Sequence, residues 1–132
     1  MLAVLTADTN IWARAYLNDD ARQAQLARGV IATACKGEGI FIPLLILAEL
    51  CWVLGGVWDK DRVVDTLERI FSTDGVTIES HALAERALKD SRAGGAGFAD
   101  RLIAEVAFAE GVREILTFDK AFARQPHVRR LH

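Results

Sequence analysis

Apolar and polar positions along the chain switch between two periods. Residues 2–7 form a run of small and apolar side chains that stops on Asp8, and apolar residues resume at Ile11. That pattern predicts a strand buried on both faces, then a short helix over 11–17. Asp19-Asp20 offers an N-cap to a second helix through 34, which Gly37 and Gly39 stop. Residues 40–42 make a brief strand, and Pro43 suits the first turn of the helix that follows, which Gly55-Gly56 closes. Asp59 can cap the next helix, with Val63, Val64, Leu67, Ile70 and Phe71 inward and Arg62, Asp65, Glu68 and Arg69 outward. After the Asp74-Gly75 turn come a strand over 76–79 and a helix from Ser80, its cap, through 89. A glycine-rich loop over 91–97 leads into a helix over 98–110 with Gly111 as its stop. A strand over 115–118, a helical turn over 120–124 and an edge strand over 128–131 complete the chain.

Strands apolar on both faces, alternating with helices, indicate an α/β fold with a parallel sheet covered on both sides, in one domain spanning 1–132. In such folds reacting groups gather where the carboxyl ends of the strands splay apart. Asp8 and Asp119 each follow directly after a strand, LAVLTA-D and ILTF-D.

Composition narrows the picture. A chain that is 52% hydrophobic and 26% charged is an ordinary globular protein. Its formal net charge of −2 argues against a broad basic face for nucleic acid, so any such contact is local or carried by metal. Cys35 and Cys51 have no CxxC spacing and read as buried, reduced thiols of a cytoplasmic protein. His81, His127 and His132 lack metal-ligand spacing and read as a helix start and a solvated tail. The apolar stretch 40–58 is interrupted by Pro43, Glu49 and Gly55-Gly56. A charge at a bilayer centre costs about 2.5–3.5 kcal/mol, so the stretch is a strand and a buried helix, and no membrane partner is expected. The opening residues are too short for a signal peptide and lack a basic leader.

Four carboxylates sit against apolar surroundings. Glu49 is the only charged residue between Gly39 and Trp58, with Leu45, Ile46, Trp52 and Val53 one turn away. A helix apolar all round is a buried one, which makes Glu49 a buried charge in need of a partner or a metal; the bland alternative is a glutamate reaching solvent. Asp100 aligns with the stripe Ile103, Ala104, Ala107 and Phe108, away from Arg101 and Glu105. As an acid in a first turn it equally complements the helix dipole, worth about 0.3–1 kcal/mol. Asp8 and Asp119 have plain alternatives as caps of the turns that follow them. Two carboxylates about 5 Å apart repel by about 3 kcal/mol at an effective dielectric near 20, so a cluster of four requires protons or cations. Oxygen-only ligands select Mg²⁺ or Mn²⁺. The chemistry that fits is metal-assisted phosphodiester hydrolysis, while a zinc site lacks its ligands.

With Asp8-Thr9-Asn10, Glu49 in its apolar helix, Asp100 in FADRLIAE and Thr117-Phe118-Asp119 after the late strand, the sequence resembles the PIN-domain nucleases, specifically VapC-type toxins of bacterial toxin–antitoxin pairs. The resemblance covers essentially the whole chain. It implies a three-layer α/β/α sandwich with a central, mostly parallel five-stranded sheet, commonly dimeric. It also implies a Mg²⁺- or Mn²⁺-dependent ribonuclease acting on single-stranded or loop RNA, with a small antitoxin as partner. Carried onto this chain, Asp8, Glu49, Asp100 and Asp119 are the catalytic, metal-binding set. Thr9 and Thr117 lend hydroxyls to it or to the strand-end acid, and Asn10 contacts metal water or substrate. Some relatives carry a further acid three positions before the helical Asp, where this chain has Gly97, which leaves open one metal or two.

The tail from Lys120 holds Arg124, Arg129 and Arg130 and no acid. It supplies local phosphate contacts through Arg124 and Arg129, or else charges that guard a terminal edge strand. Two other functional readings stand beside the nuclease. One is a non-catalytic PIN-like interaction module. The other is a metal-binding phosphoacceptor receiver domain, which expects paired acids after the first strand and leaves Glu49 without a role.

Overall fold

A computed structural model describes Ala3 and residues 5–132. It divides into two compact units, Met1–His81 and Ala82–His132.

The first unit runs β1 (Leu5–Thr6), α1 (Thr9–Leu17), α2 (Ala21–Lys36), β2 (Ile40–Ile42), α3 (Leu44–Gly55), α4 (Lys60–Phe71) and β3 (Val76–Ile78). Its sheet is parallel throughout, in the order β1-β2-β3, with Leu5 opposite Ile40 and Ile40 opposite Val76. The strand expected over 2–7 is described only at Leu5–Thr6, and Met1, Leu2 and Val4 lie outside the described residues.

Local chemistry sets the helix ends much as the sequence indicates. Asp20 and Asp59 accept from the backbone N–H of Gln23 (3.1 Å) and Arg62 (2.9 Å), capping α2 and α4. Asn18 ends α1 in the left-handed conformation (φ 56). Pro43 occupies the N-cap of α3 and has no side chain to offer it. The carboxylate of Glu79, just past β3, accepts from Leu44 N–H at 2.8 Å in its place. Ser80 takes φ 47 instead of the extended backbone of a cap. The Gly39–Gly75 pair has a steric reason: both have φ 90, and a Cβ on Gly75 would collide with the backbone of Cys35.

The core of this unit has two textures. Ala13, Ala15, Ala24, Ala27 and Ala34 are buried in α1 and α2, which pack on each other. Small side chains at such positions let helix backbones approach closely. Ile40, Ile42, Leu47, Leu50, Leu54, Leu67 and Ile70 are bulky and fully buried. α4 follows its expected faces, with Val63, Val64, Leu67 and Ile70 inside. α3 departs from expectation: Leu45, Trp52 and Val53 are 68%, 58% and 42% exposed. It is not buried all round, because α1 and α4 pack against one side of it and leave the other uncovered.

The second unit contains α5, most of whose span (His81–Ser91) lies in it, then α6 (Phe98–Ala109), β4 (Ile115–Thr117), a single 3₁₀ turn (Phe122–Arg124) and β5 (Val128–Arg130). β4 and β5 pair in parallel, Leu116 opposite Arg129. Buried Ala84, Ala87, Leu88, Phe98, Ala99, Leu102 and Phe122 form its core. His127 is exposed with φ 60, yet its ring meets the edge of Phe108 at 6.1 Å, so it is held against α6 and is not a free tail residue.

An α/β chain with parallel strands is therefore present, but among the described residues five strands form sheets of three and two in place of one five-stranded sheet. Hydropathy marks which segments are strands; it does not encode which edges exchange hydrogen bonds. Cys35 and Cys51 are outside any disulfide, and both are half-buried instead of fully buried. Among the described residues no helix is long and apolar enough to cross a membrane.

Candidate functional site

In the first unit Asp8 is the N-cap of α1, with extended backbone (φ −75, ψ 174), and accepts from Ile11 N–H at 3.3 Å. Its plain role as a cap is realised. The carboxylate is exposed and, with Asn10, Ile11, Arg14 and Gln23, lines a pocket of about 350 Å³ beside α2. Thr9 opens α1, and its hydroxyl donates to Glu49 Oε1 at 2.9 Å. Thr9 thus serves the helical acid and not the strand-end acid next to it. Glu49 is half-buried on the same side of α3 as exposed Leu45, Trp52 and Val53. The expectation of a buried charge is corrected: the uncovered face of α3 gives Glu49 partial access to water, and Thr9 gives it a partner.

In the second unit Asp100 lies in the first turn of α6, half-buried. Burial pushes its carboxyl above the usual carboxylate range, and the negative charge of Asp119 pushes it further the same way. Asp119 follows β4 and is exposed. Its Oδ1 accepts from Ala121 N–H at 2.8 Å and from Phe122 N–H at 3.5 Å, so it holds the start of the 3₁₀ turn. Thr117 is the last residue of β4, and its hydroxyl oxygen accepts from Asp119 N–H at 3.0 Å.

Three contacts tie this neighbourhood together. The Arg101 guanidinium donates to the carbonyls of Ala96 (2.9 Å) and Gly94 (2.6 Å), anchoring the glycine-rich loop that leads into α6. The stem of Arg124 lies where a Cβ on Gly95 would meet it at 3.7 Å. Gln125, only 7% exposed, donates from Nε2 to the Asp100 carbonyl at 3.4 Å and the Phe122 carbonyl at 3.3 Å. Sequence reasoning singled out neither Arg101 nor Gln125. A lone glutamine before a proline in a polar tail gives no signal, and Arg101 looks like one more charge on a solvated helix face.

The basic tail is less free than its composition suggests. Arg129 donates through Nε and Nη2 to Glu114 Oε1 at 3.2 and 3.1 Å, and Arg130 donates to the Phe118 carbonyl at 3.2 Å. The acid absent from the tail comes from the residue before β4. Arg124 is exposed.

Among the described residues, no group of three or more His, Cys, Asp or Glu side chains is disposed to hold a metal ion. Within the second unit, Asp100 and Asp119 offer carboxylate oxygens, the ligand type a hard cation takes, and the charge of Asp119 adds to burial in raising the Asp100 carboxyl.

No curated protein matches the chain. Among solved structures it is similar to Mycobacterium tuberculosis VapC20, described as a sarcin–ricin loop cleaving toxin. The two are 20% identical, with a TM-score of 0.47, over 95% of this chain and 97% of that one. The PIN domain family model matches residues 5–128, nearly the full length. The chain belongs to the PIN domain family.

Proposed function

We propose that this protein is a Mg²⁺- or Mn²⁺-dependent endoribonuclease, the toxin of a type II toxin–antitoxin module, and that Asp8, Glu49, Asp100 and Asp119 are each required for cleavage. The observation that carries the reading is the match to the PIN domain over residues 5–128, in which the Asp100 carboxyl is raised above the usual carboxylate range first by burial and then by the negative charge of Asp119. A structural ion pair would lower it. Asp100 and Asp119 would hold the cation. When bound, such an ion supplies Lewis-acid neutralisation of charge developing on a phosphodiester and lowers the pKa of the water it carries.

The remaining residues orient and hold. The Thr117 hydroxyl fixes the backbone at Asp119, and the 3₁₀ turn fixes its carboxylate. The Thr9 hydroxyl fixes one rotamer of Glu49. Asp8 and Asn10 present exposed polar groups at the start of α1, suited to contacting RNA or hydrated metal. Arg124 supplies a phosphate contact. The substrate is single-stranded or loop RNA, the partners are a small antitoxin and a second copy of the chain, and the setting is the cytoplasm.

The test is Mn²⁺-dependent cleavage of a structured RNA by wild type and by Asp119→Asn, purified in parallel. Cleavage by wild type that is lost in the variant is the expected result. Equal cleavage by both overturns the assignment. Binding of Mn²⁺ with no cleavage of any RNA tried favours the interaction-module reading.

A further inference from the structure

We infer that Gln125 is the positioning residue for the Asp100–Asp119 pair, an inference that rests on the metal-binding reading above. Its side-chain amide carries two hydrogens on one nitrogen. Each goes to a backbone carbonyl belonging to one acid's support. The first is the carbonyl of Asp100 itself, in the opening turn of α6, at 3.4 Å. The second is the carbonyl of Phe122, at 3.3 Å, in the turn whose Ala121 and Phe122 N–H groups grip the Asp119 carboxylate. A single buried amide thus spans the helix that carries one acid and the turn that carries the other.

The arrangement is costly to break in one specific direction. Gln125 is 7% exposed, and a side chain without donors there would leave the Phe122 carbonyl with the 3.4 Å bond from the Gln125 backbone N–H and would unlink the turn from the Asp100 carbonyl. An amide is also suited to the task. Lysine would bring a charge beside the pair and serine could not span the gap, whereas a glutamine fork offers two neutral donors at fixed spacing. Two carboxylates that repel will drift apart unless the backbone under them is held. A divalent ion needs its oxygens within a narrow range of distances. Residues that touch neither metal nor substrate commonly set that range.

The experiment compares wild type, Gln125→Met, Asp119→Asn and Ser91→Ala. Methionine keeps the length and volume of the side chain and removes both donors. Ser91 is buried in the same unit and donates to Leu88 O, so its alanine variant controls for general loosening. Mn²⁺ affinity is read by electron paramagnetic resonance without RNA, and cleavage is measured at several Mn²⁺ concentrations. Gln125→Met is expected to bind Mn²⁺ about tenfold more weakly, with kcat reduced, KM for RNA unchanged, and kcat recovering as Mn²⁺ is raised. Ser91→Ala is expected to bind Mn²⁺ like wild type.

If Asp119→Asn weakens binding while Gln125→Met stays within twofold of wild type, the role of Gln125 is overturned and the metal reading stands. If Asp119→Asn binds Mn²⁺ as tightly as wild type, the metal reading fails and this inference with it. An equal loss in Ser91→Ala assigns the effect to general loosening and also overturns it. Should Gln125→Met not fold, NMR of the wild-type protein decides. The Gln125 side-chain amide signals must shift on Mg²⁺ addition with the same midpoint as the Asp100 backbone amide, and unmoved signals overturn the proposal.

Discussion

Two of the acids proposed for the site also have structural roles. Asp8 caps α1 and Asp119 holds the 3₁₀ turn, so replacing either with alanine confounds two effects. Asparagine separates them, because it caps a helix as well as aspartate does and cannot carry the charge. Asp8→Asn is expected to stay within about 0.5 kcal/mol of wild type in urea unfolding, while Asp8→Ala loses about 0.5–2 kcal/mol. Both are expected to lose Mn²⁺-dependent RNA cleavage. Full cleavage by Asp8→Asn would reduce that residue to a cap.

Asp100 gives a pH signature. Its folded pKa lies above its unfolded one, so the native state retains the proton to higher pH, and stability falls as pH rises through that window. Asp100→Asn removes the loss. Its melting temperature should exceed that of wild type at pH 7, and the gap should close as pH drops below the usual carboxylate range. A gap that widens toward acid would mean that the carboxylate is stabilised in its charged form.

At the scale of elements, α3 best separates pattern from packing. Its sequence is apolar on every side except for Glu49, and periodicity alone makes it a buried helix. Neighbours decide otherwise: Leu50 is fully buried, while Leu45 is 68% exposed. Leu50→Ala is therefore expected to cost about 2–5 kcal/mol, and Leu45→Ala to stay within about 0.5 kcal/mol in dilute monomer. Equilibrium urea unfolding checks both, and equal costs would place the two leucines in the same environment. Helix ends, by contrast, were legible. Asp20 and Asp59 sit at the predicted caps because capping is a local interaction across three residues. The cap of α3 was not legible, since Glu79 reaches Leu44 from 35 residues away in sequence.

At the scale of the whole molecule, a net charge of −2 leaves the proposed RNA contact to a few local cations. Arg129 is engaged by Glu114, and Arg124 has no such carboxylate among its described hydrogen bonds and ion pairs. Arg124→Ala is expected to weaken RNA binding and lower the salt slope by about one, with a smaller change for Arg129→Ala. Equal effects on the slope would mean that the Glu114 pair opens when RNA binds. We also propose that residues 1–132 behave as one domain. All three tryptophans, Trp12, Trp52 and Trp58, lie in the first unit, so their fluorescence reports on that unit alone. Urea transitions followed by fluorescence and by far-UV circular dichroism should coincide, and separate midpoints would mean two domains.

The sequence by itself determined the order of strands and helices, most of their ends, and the carboxylates worth attention. Each of those depends on residues a few positions apart, where periodicity and capping act. Only the tertiary structure decided which strand edges pair, that α3 keeps an open face, that Thr9 answers Glu49, and that Gln125 joins the supports of Asp100 and Asp119. Those outcomes depend on contacts between segments distant along the chain. A hydropathy pattern records that a side chain is to be covered, and it carries nothing about what covers it.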